Sequence, residues 1–358
     1  MSQHPYKALH DKAFWKRTVA GPAPEDVDPV GVFELRITAE TKVATAGSCF
    51  AQHIARHLRN SGYNYYVAEA GHPILPASVR DRNNYGLFSA RYGNIYTARQ
   101  LLQLFWRAFD RFSPVEGQWK ESEDVFLDPF RPTTQPGGYV SAEELAADRR
   151  QHLTAVRRMF ETLDVFVFTL GLTECWRSKE DGAVFPLCPG VEGGTFDPGR
   201  YEFYNQPVED VIADLTAFRQ ALSEVNPEAE IVFTVSPVPL VATAQPDENV
   251  LSATTYSKSV LRVAAETVRR RFANVHYFPS YEIITGAFNR GTYFAPDLRN
   301  VVEDGVSHVM RLFMQHATDA SSVPPASAIP RGANDDEHLE VATRIVEVEC
   351  DEVALDKR

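Results

Sequence analysis

Val43-Ala44-Thr45-Ala46-Gly47-Ser48-Cys49-Phe50-Ala51 reads as a short apolar strand, a Gly-Ser turn and the start of a helix, Ala51 to Asn60, with Ile54, Ala55 and Leu58 on one face. Three further apolar strands repeat the pattern: Val165 to Leu170 ending at Gly171, Ile231 to Val235 ending at Ser236-Pro237-Val238-Pro239, and Val275 to Phe278 ending at Pro279-Ser280. Amphipathic stretches fall between and after them, at Glu143 to Leu163, Val208 to Val225, Ser257 to Phe272 and Gly305 to His316. Strands apolar on both faces and alternating with helices imply a mainly parallel sheet covered on both sides, a three-layer α/β/α sandwich. Each strand ends in Gly, Ser or Pro, which places those residues at the carboxyl edge, where open α/β sheets bind ligands.

The 358 residues, 44% of them hydrophobic, suffice for one sizeable domain over residues 1–316. Two Pro-, Gly- and aromatic-rich stretches, 113–140 and 185–206, read as loop or cap insertions. An acidic, flexible tail is expected over 317–358: ten acidic against four basic side chains leave it at −6, half of the chain's net −12. This charge argues against nucleic-acid binding, which needs a basic patch. No apolar run is long enough for a membrane span and no signal-peptide core is visible, so a cytoplasmic location is expected. Four cysteines without CxxC spacing suggest neither a metal site nor a disulfide framework, and no cofactor is expected.

A serine directly after a strand and before a helix suits nucleophilic catalysis, since glycine permits the turn and the helix N-terminus favours a developing oxyanion. Its plainer reading is a helix N-cap. Cys49 is a second candidate nucleophile, read in the plainer way as a small buried hydrophobe.

Gly47-Ser48-Cys49-Phe50-Ala51 resembles the motif that names the GSCFA family, itself similar to SGNH/GDSL hydrolases. Collinear matches are Gly93-Asn94-Ile95-Tyr96, Thr169-Leu170-Gly171-Leu172-Thr173-Glu174 with Trp176, Thr234 to Pro239, Ser257-Lys258-Ser259 and Tyr277 to Glu282, within residues 5 to 316. The resemblance implies an SGNH/flavodoxin-like fold, with Ser48 as nucleophile and Gly93 or Asn94 as a second-block oxyanion donor. Gly171-Leu172-Thr173-Glu174 stands where Gly-x-Asn-Asp is expected, so Thr173 replaces an asparagine donor. Asp297 matches the carboxylate of the final Asp-x-x-His, but Asn300 holds the histidine position and cannot act as a base. His308, eight residues on, is the replacement considered first, with a half-exposed helix residue as its plainer reading. His72 in its loop is a weaker candidate, and His53, whose i, i+4 pairing with His57 lacks the Glu of a zincin helix, reads rather as a surface or packing residue. Glu174 and Glu282 follow strand ends and could orient a histidine or cap the chain. Lys258 reads as a solvated lysine beside a capping serine, with a Ser-Lys dyad as the alternative.

The leading functional expectation is a serine esterase or O-acyltransferase acting on acylated carbohydrate or lipid esters, with aromatics such as Trp119, Phe126, Trp176 and Tyr204 stacking a sugar ring. A binding or scaffold protein that kept the fold and lost the chemistry is the alternative, its acidic tail contacting a protein partner. A nucleotide-binding protein ranks last, because no P-loop or Gly-x-Gly-x-x-Gly follows a strand.

Overall fold

The computed structural model of the chain describes residues 4–323. Its strands are β1 Val43–Gly47, β2 Trp119–Ser122, β3 Val125–Leu127, β4 Val165–Leu170, β5 Glu174–Ser178, β6 Val184–Phe185, β7 Tyr201–Asn205, β8 Glu230–Val235 and β9 Val275–Tyr277. The helices are α1 Trp15–Thr18, α2 Ala51–Asn60, α3 Ala77–Arg82, α4 Ala98–Ala108, α5 Ala142–Thr162, α6 Val208–Val225, α7 Val250–Arg271, α8 Ser280–Thr285 and α9 Glu303–Ala317.

All pairings in the central sheet are parallel, in the order β1-β4-β8-β9. Both faces of β4 are apolar because both are covered. Phe166, Phe168 and Leu170 pack with α4 to α7, whereas Val165 and Val167 pack with Ile54 and Leu58 of α2 and Val309 and Phe313 of α9. The same two-residue alternation divides Ile231 and Phe233 from Val232 in β8. The three-layer α/β/α architecture implied by the strand pattern is therefore present.

A one-residue parallel bridge, Val43 to Tyr65, sits on the outer side of β1: the Val43 N–H donates to Asn64 O at 3.1 Å and the Tyr66 N–H to Val43 O at 2.8 Å. The chain thus leaves β1 in one direction towards Tyr65 and returns on its other side at β4. The order reverses between β1 and β4, and a crevice opens at the carboxyl ends of such a pair.

Three features differ from the sequence reading. Helix α4, unrecognised by its pattern, begins at a capping box in which Thr97 accepts from the Gln100 N–H and Gln100 reaches back to the Thr97 N–H. Helix α7 starts at Val250, so Ser257 and Lys258 lie two turns inside it rather than at its cap. The stretch 113–140 carries the small antiparallel β2-β3 sheet, and 185–206 supplies β7 to an antiparallel β6-β5-β7 sheet whose β5 precedes it. The start of the expected tail also joins the body: the Ile37 N–H donates to Ala317 O at 2.7 Å and the Asp319 N–H to Ile37 O at 2.8 Å. The remainder of that tail lies outside the described residues. No described helix is long and apolar enough to cross a membrane.

Gly47 has φ +135°, and a Cβ there would stand 2.3 Å from the Thr169 carbonyl oxygen on β4. Gly47→Ala is expected to cost about 2–5 kcal/mol, from strain and overpacking together. Gly31→Ala, where a Cβ meets nothing within 4 Å, is the control and should stay within about 0.5 kcal/mol of the parent. Thermal melts of both variants check this; equal melting temperatures would contradict the close approach.

Candidate active site

Ser48 follows the carboxyl end of β1, beside the end of β4, and is buried. The Gly47-Ser48 turn is clamped from both sides: the Ile95 N–H donates to Gly47 O at 2.9 Å and the Ser48 N–H to Thr169 O at 3.2 Å. The Gly171 and Leu172 N–H groups both donate to Tyr96 O, at 3.0 and 3.1 Å. Three loops, after β1, after Tyr92 and after β4, are thereby stitched into one edge. A Cβ on Gly171 would lie 3.3 Å from Ser48 Cβ and 3.1 Å from Tyr96 O, so glycine is what leaves room beside the serine.

The N-cap reading of Ser48 does not hold. Helix α2 has no side-chain cap, and Ser48 Oγ is buried without a hydrogen-bond partner among the described residues. An unsatisfied buried hydroxyl costs about 1–3 kcal/mol, so its retention asks for a reason beyond folding. Helix α2 nevertheless places its positive end next to this oxygen.

Of the residues singled out in the sequence, Ser48, Gly93, Asn94, Gly171, Thr173 and Glu174 fall along this edge. Gly93 has φ +69° and precedes buried Asn94. The Thr173 N–H donates to Ser257 Oγ at 3.0 Å, and its hydroxyl donates to Asn205 Oδ1 at 2.6 Å. Thr173 therefore braces the loop. Glu174 accepts from the Thr243 hydroxyl at 2.6 Å and the Ala244 N–H at 3.4 Å, and burial raises its pKa. It ties β5 to the segment after β8.

Lys258 is the residue whose role the sequence reading misjudged. It is 2% exposed, and its Nζ donates to Gly171 O at 2.6 Å. A lysine taken for a solvated surface group instead presents its amine to the carbonyl of the glycine that abuts Ser48. The signal available was Ser257-Lys258-Ser259 followed by an apolar helical face, which buries whatever shares that face.

The expected base is not in place. His308 is buried; its Nε2 donates to Val27 O at 3.0 Å, and its Nδ1 accepts from the Tyr293 hydroxyl at 2.8 Å, which leaves neither nitrogen for Ser48. It anchors the N-terminal strap to α9, and it is not half-exposed. Asp297 is exposed and closes its own turn: it accepts from the Arg299 and Asn300 N–H groups at 3.0 Å and from Asn300 Nδ2 at 2.6 Å. Asn300 thus takes the partner position that an imidazole would need. That turn reaches the sheet edge through Arg299, whose Nε donates to Pro239 O at 3.3 Å. His72 is exposed, with Nδ1 accepting from the Ile74 N–H, and His57 bonds to the His53 carbonyl. Glu282 binds Arg262 and Tyr277.

The aromatic residues expected to stack a sugar are also engaged. Trp119 is buried in a satellite core and donates to Glu116, Trp176 packs on Phe196 and Phe203, and Arg177 lies over the Tyr204 ring. Among the described residues no group of three or more His, Cys, Asp or Glu side chains could hold a metal ion.

His53 lies one turn into α2, its ring against Phe50 and its Nδ1 3.2 Å from Arg56. Burial, then the charges of Arg56 and His57, lower its pKa from 6.5 to about 3. The unfolded chain therefore binds this proton first, so stability is full above pH 6.5 and falls as pH drops from there towards 3. At about 1.4 kcal/mol per unit, reduced for partial exposure, this amounts to roughly 1–3 kcal/mol. Denaturant titrations at pH 7 and pH 4.5 should show His53→Gln losing less stability on acidification than the parent; parallel losses would contradict the assignment.

A search of curated proteins returned no matching relative. The sequence profile of the GSCFA family matches residues 42–313, from the edge of β1 into α9, and so takes in Ser48, the loop at Asn94, Gly171 and Lys258. The chain belongs to the GSCFA family.

Proposed function

We propose that the protein is an SGNH-type serine acyl-transfer enzyme, an esterase or O-acyltransferase for acylated carbohydrate or lipid esters, in which Ser48 is the nucleophile and Lys258 replaces the missing histidine. The observation that carries this reading is the Ser48 hydroxyl: buried, bonded to nothing among the described residues and set against Gly171 at the point where the strand order reverses. The absence of a side chain at Gly171 leaves space directly beside Ser48 Cβ.

In the proposed step the Ser48 O–H bond breaks, its proton passes to the neutral amine of Lys258, and Oγ bonds to the acyl carbon. Collapse of the tetrahedral adduct breaks the ester C–O bond, and the Lys258 ammonium returns the proton to the leaving alcohol. Water or an acceptor hydroxyl then removes the acyl group by the reverse sequence. The backbone N–H groups of Ser48, Gly171, Leu172 and Thr173 are all committed elsewhere, and those of Ala51, Gln52 and His53 at the start of α2 bond to the carbonyls of Ser48, Cys49 and Phe50, so the oxyanion is held by the α2 dipole and by donors released when the loops move. Ser48 Oγ is enclosed, and substrate reaches it after movement of the loops that meet at Tyr96, Leu172 and Leu240.

One observation favours a second reading, a binding protein without chemistry: Asn300 occupies Asp297, and the donors nearest Ser48 are spent within the fold. A fluorophosphonate probe with peptide mass spectrometry separates the two. Covalent labelling of Ser48 in the parent, its absence in Ser48→Ala and at least about a hundredfold slower labelling in Lys258→Met are expected for the enzyme. A folded parent that takes up no probe would leave the binding reading.

A further inference from the structure

Away from Ser48, the inserted 113–140 stretch joins α4 and α5 through a buried cluster of charges. Asp128, 1% exposed, accepts from Arg131 Nε at 3.0 Å and Arg149 Nε at 3.1 Å. Asp148 accepts from Arg131 at 2.5 Å and Arg91 at 3.1 Å, and Glu69 bonds to His152 Nδ1 at 2.7 Å. These contacts hold both carboxylate and guanidinium groups in fixed pairs. Arg107 of α4 is the exception.

Arg107 is 8% exposed and stacks on the Phe130 ring, with its guanidinium carbon 3.9 Å from the centroid. Its guanidinium has no hydrogen-bond partner among the described residues. Burial lowers its pKa to about 10, with Asp128 opposing and Arg149 and Arg131 adding, so it remains charged at neutral pH. Within the cluster, Arg91, Arg107, Arg131 and Arg149 face only Glu69, Asp128 and Asp148, and burial lowers the pKa of His152, keeping its ring neutral. One positive charge is left over, and a ring face recovers only part of what taking a cation out of water costs.

Arg107 lines a cavity of about 30 Å³ together with Arg131, Gln103, Phe130 and Val184. That is room for a small number of water-sized groups, and so for one halide ion. We propose that this cavity is a binding site for a small monovalent anion of halide size, held against the Arg107 guanidinium and tying α4 to the inserted loop. Water fills the same space but leaves the charge uncompensated, and a larger anion such as gluconate does not fit. The cavity also borders Asn94 and Ile95 of the loop that clamps the Gly47-Ser48 turn, but the proposal does not rest on chemistry at Ser48.

The test is thermal melting of the full chain in sodium chloride and in sodium gluconate at matched ionic strength, which cancels general screening. Binding to the native state is expected to raise the melting temperature saturably, by a few degrees, in chloride alone. Arg107→Met should abolish the response, and Arg107→Lys, which keeps the charge, should retain part of it. Because either variant can impair folding, bromide-soaked crystals of the parent supply an independent reading, with an anomalous peak expected beside the Arg107 guanidinium. Equal melting in both salts, a chloride response that survives Arg107→Met, or bromide density absent from this cavity would each overturn the proposal.

Discussion

The close parallel pairing of β1 with β4 is the constraint on which the site depends. At the last register position Gly47 faces Thr169, and the approach is so tight that a single methyl group would overlap the Thr169 carbonyl. With Gly47 held at φ +135°, the chain turns out of the sheet immediately, and Ser48 emerges at the rim instead of extending the strand. Gly171 performs the same service from β4, since its missing side chain is the space in which Ser48 Cβ sits. The two glycines and the reversal of strand order create a position at the sheet edge where the Ser48 oxygen is buried and bonded to no described residue.

Around that oxygen the protein has spent nearly all its polar groups on rigidity. Tyr96 O receives two N–H groups, Thr173 is bonded through both its backbone and its hydroxyl, and Glu174 is tied to Thr243. Such saturation gives a pre-set frame, and it also explains why the pocket is closed. Lys258 brings a buried cationic side chain to the carbonyl of the very glycine that makes room for Ser48. In the proposed mechanism, an amine delivered by a long helix takes the place of the imidazole that a terminal Asp-x-x-His would have delivered from a loop.

The sequence disclosed the architecture well because the information there is local. Six consecutive apolar residues in Val165 to Leu170, stopped by Gly171, can hardly be anything but a strand covered on both faces. Ser48 was equally legible, since strand, glycine and serine are adjacent in the chain. What could not be read were contacts between distant segments. His308 looked like a free imidazole because nothing in its helix reveals that Val27, far off at the N-terminus, lends it a carbonyl. Asp297 and Asn300 were correctly paired by spacing, but only geometry shows that they satisfy one another. Lys258 was misread because its burial depends on α7 beginning at Val250, two turns before the pattern seemed to start. The charge cluster around Asp128 was invisible for the opposite reason: its members are scattered along the chain from Glu69 to His152, and each alone resembles a surface residue.

Whether Ser48 forms a covalent bond to an acyl group is the question the rest turns on. Rapid-quench mass spectrometry of the protein mixed with an activated acetyl ester addresses it directly. A transient mass gain of one acetyl group, localised to the peptide that carries Ser48 and decaying as the ester is consumed, is the outcome expected of an acyl-transfer enzyme. A native, unmodified chain at every time point, or acetylation confined to surface lysines, would contradict it.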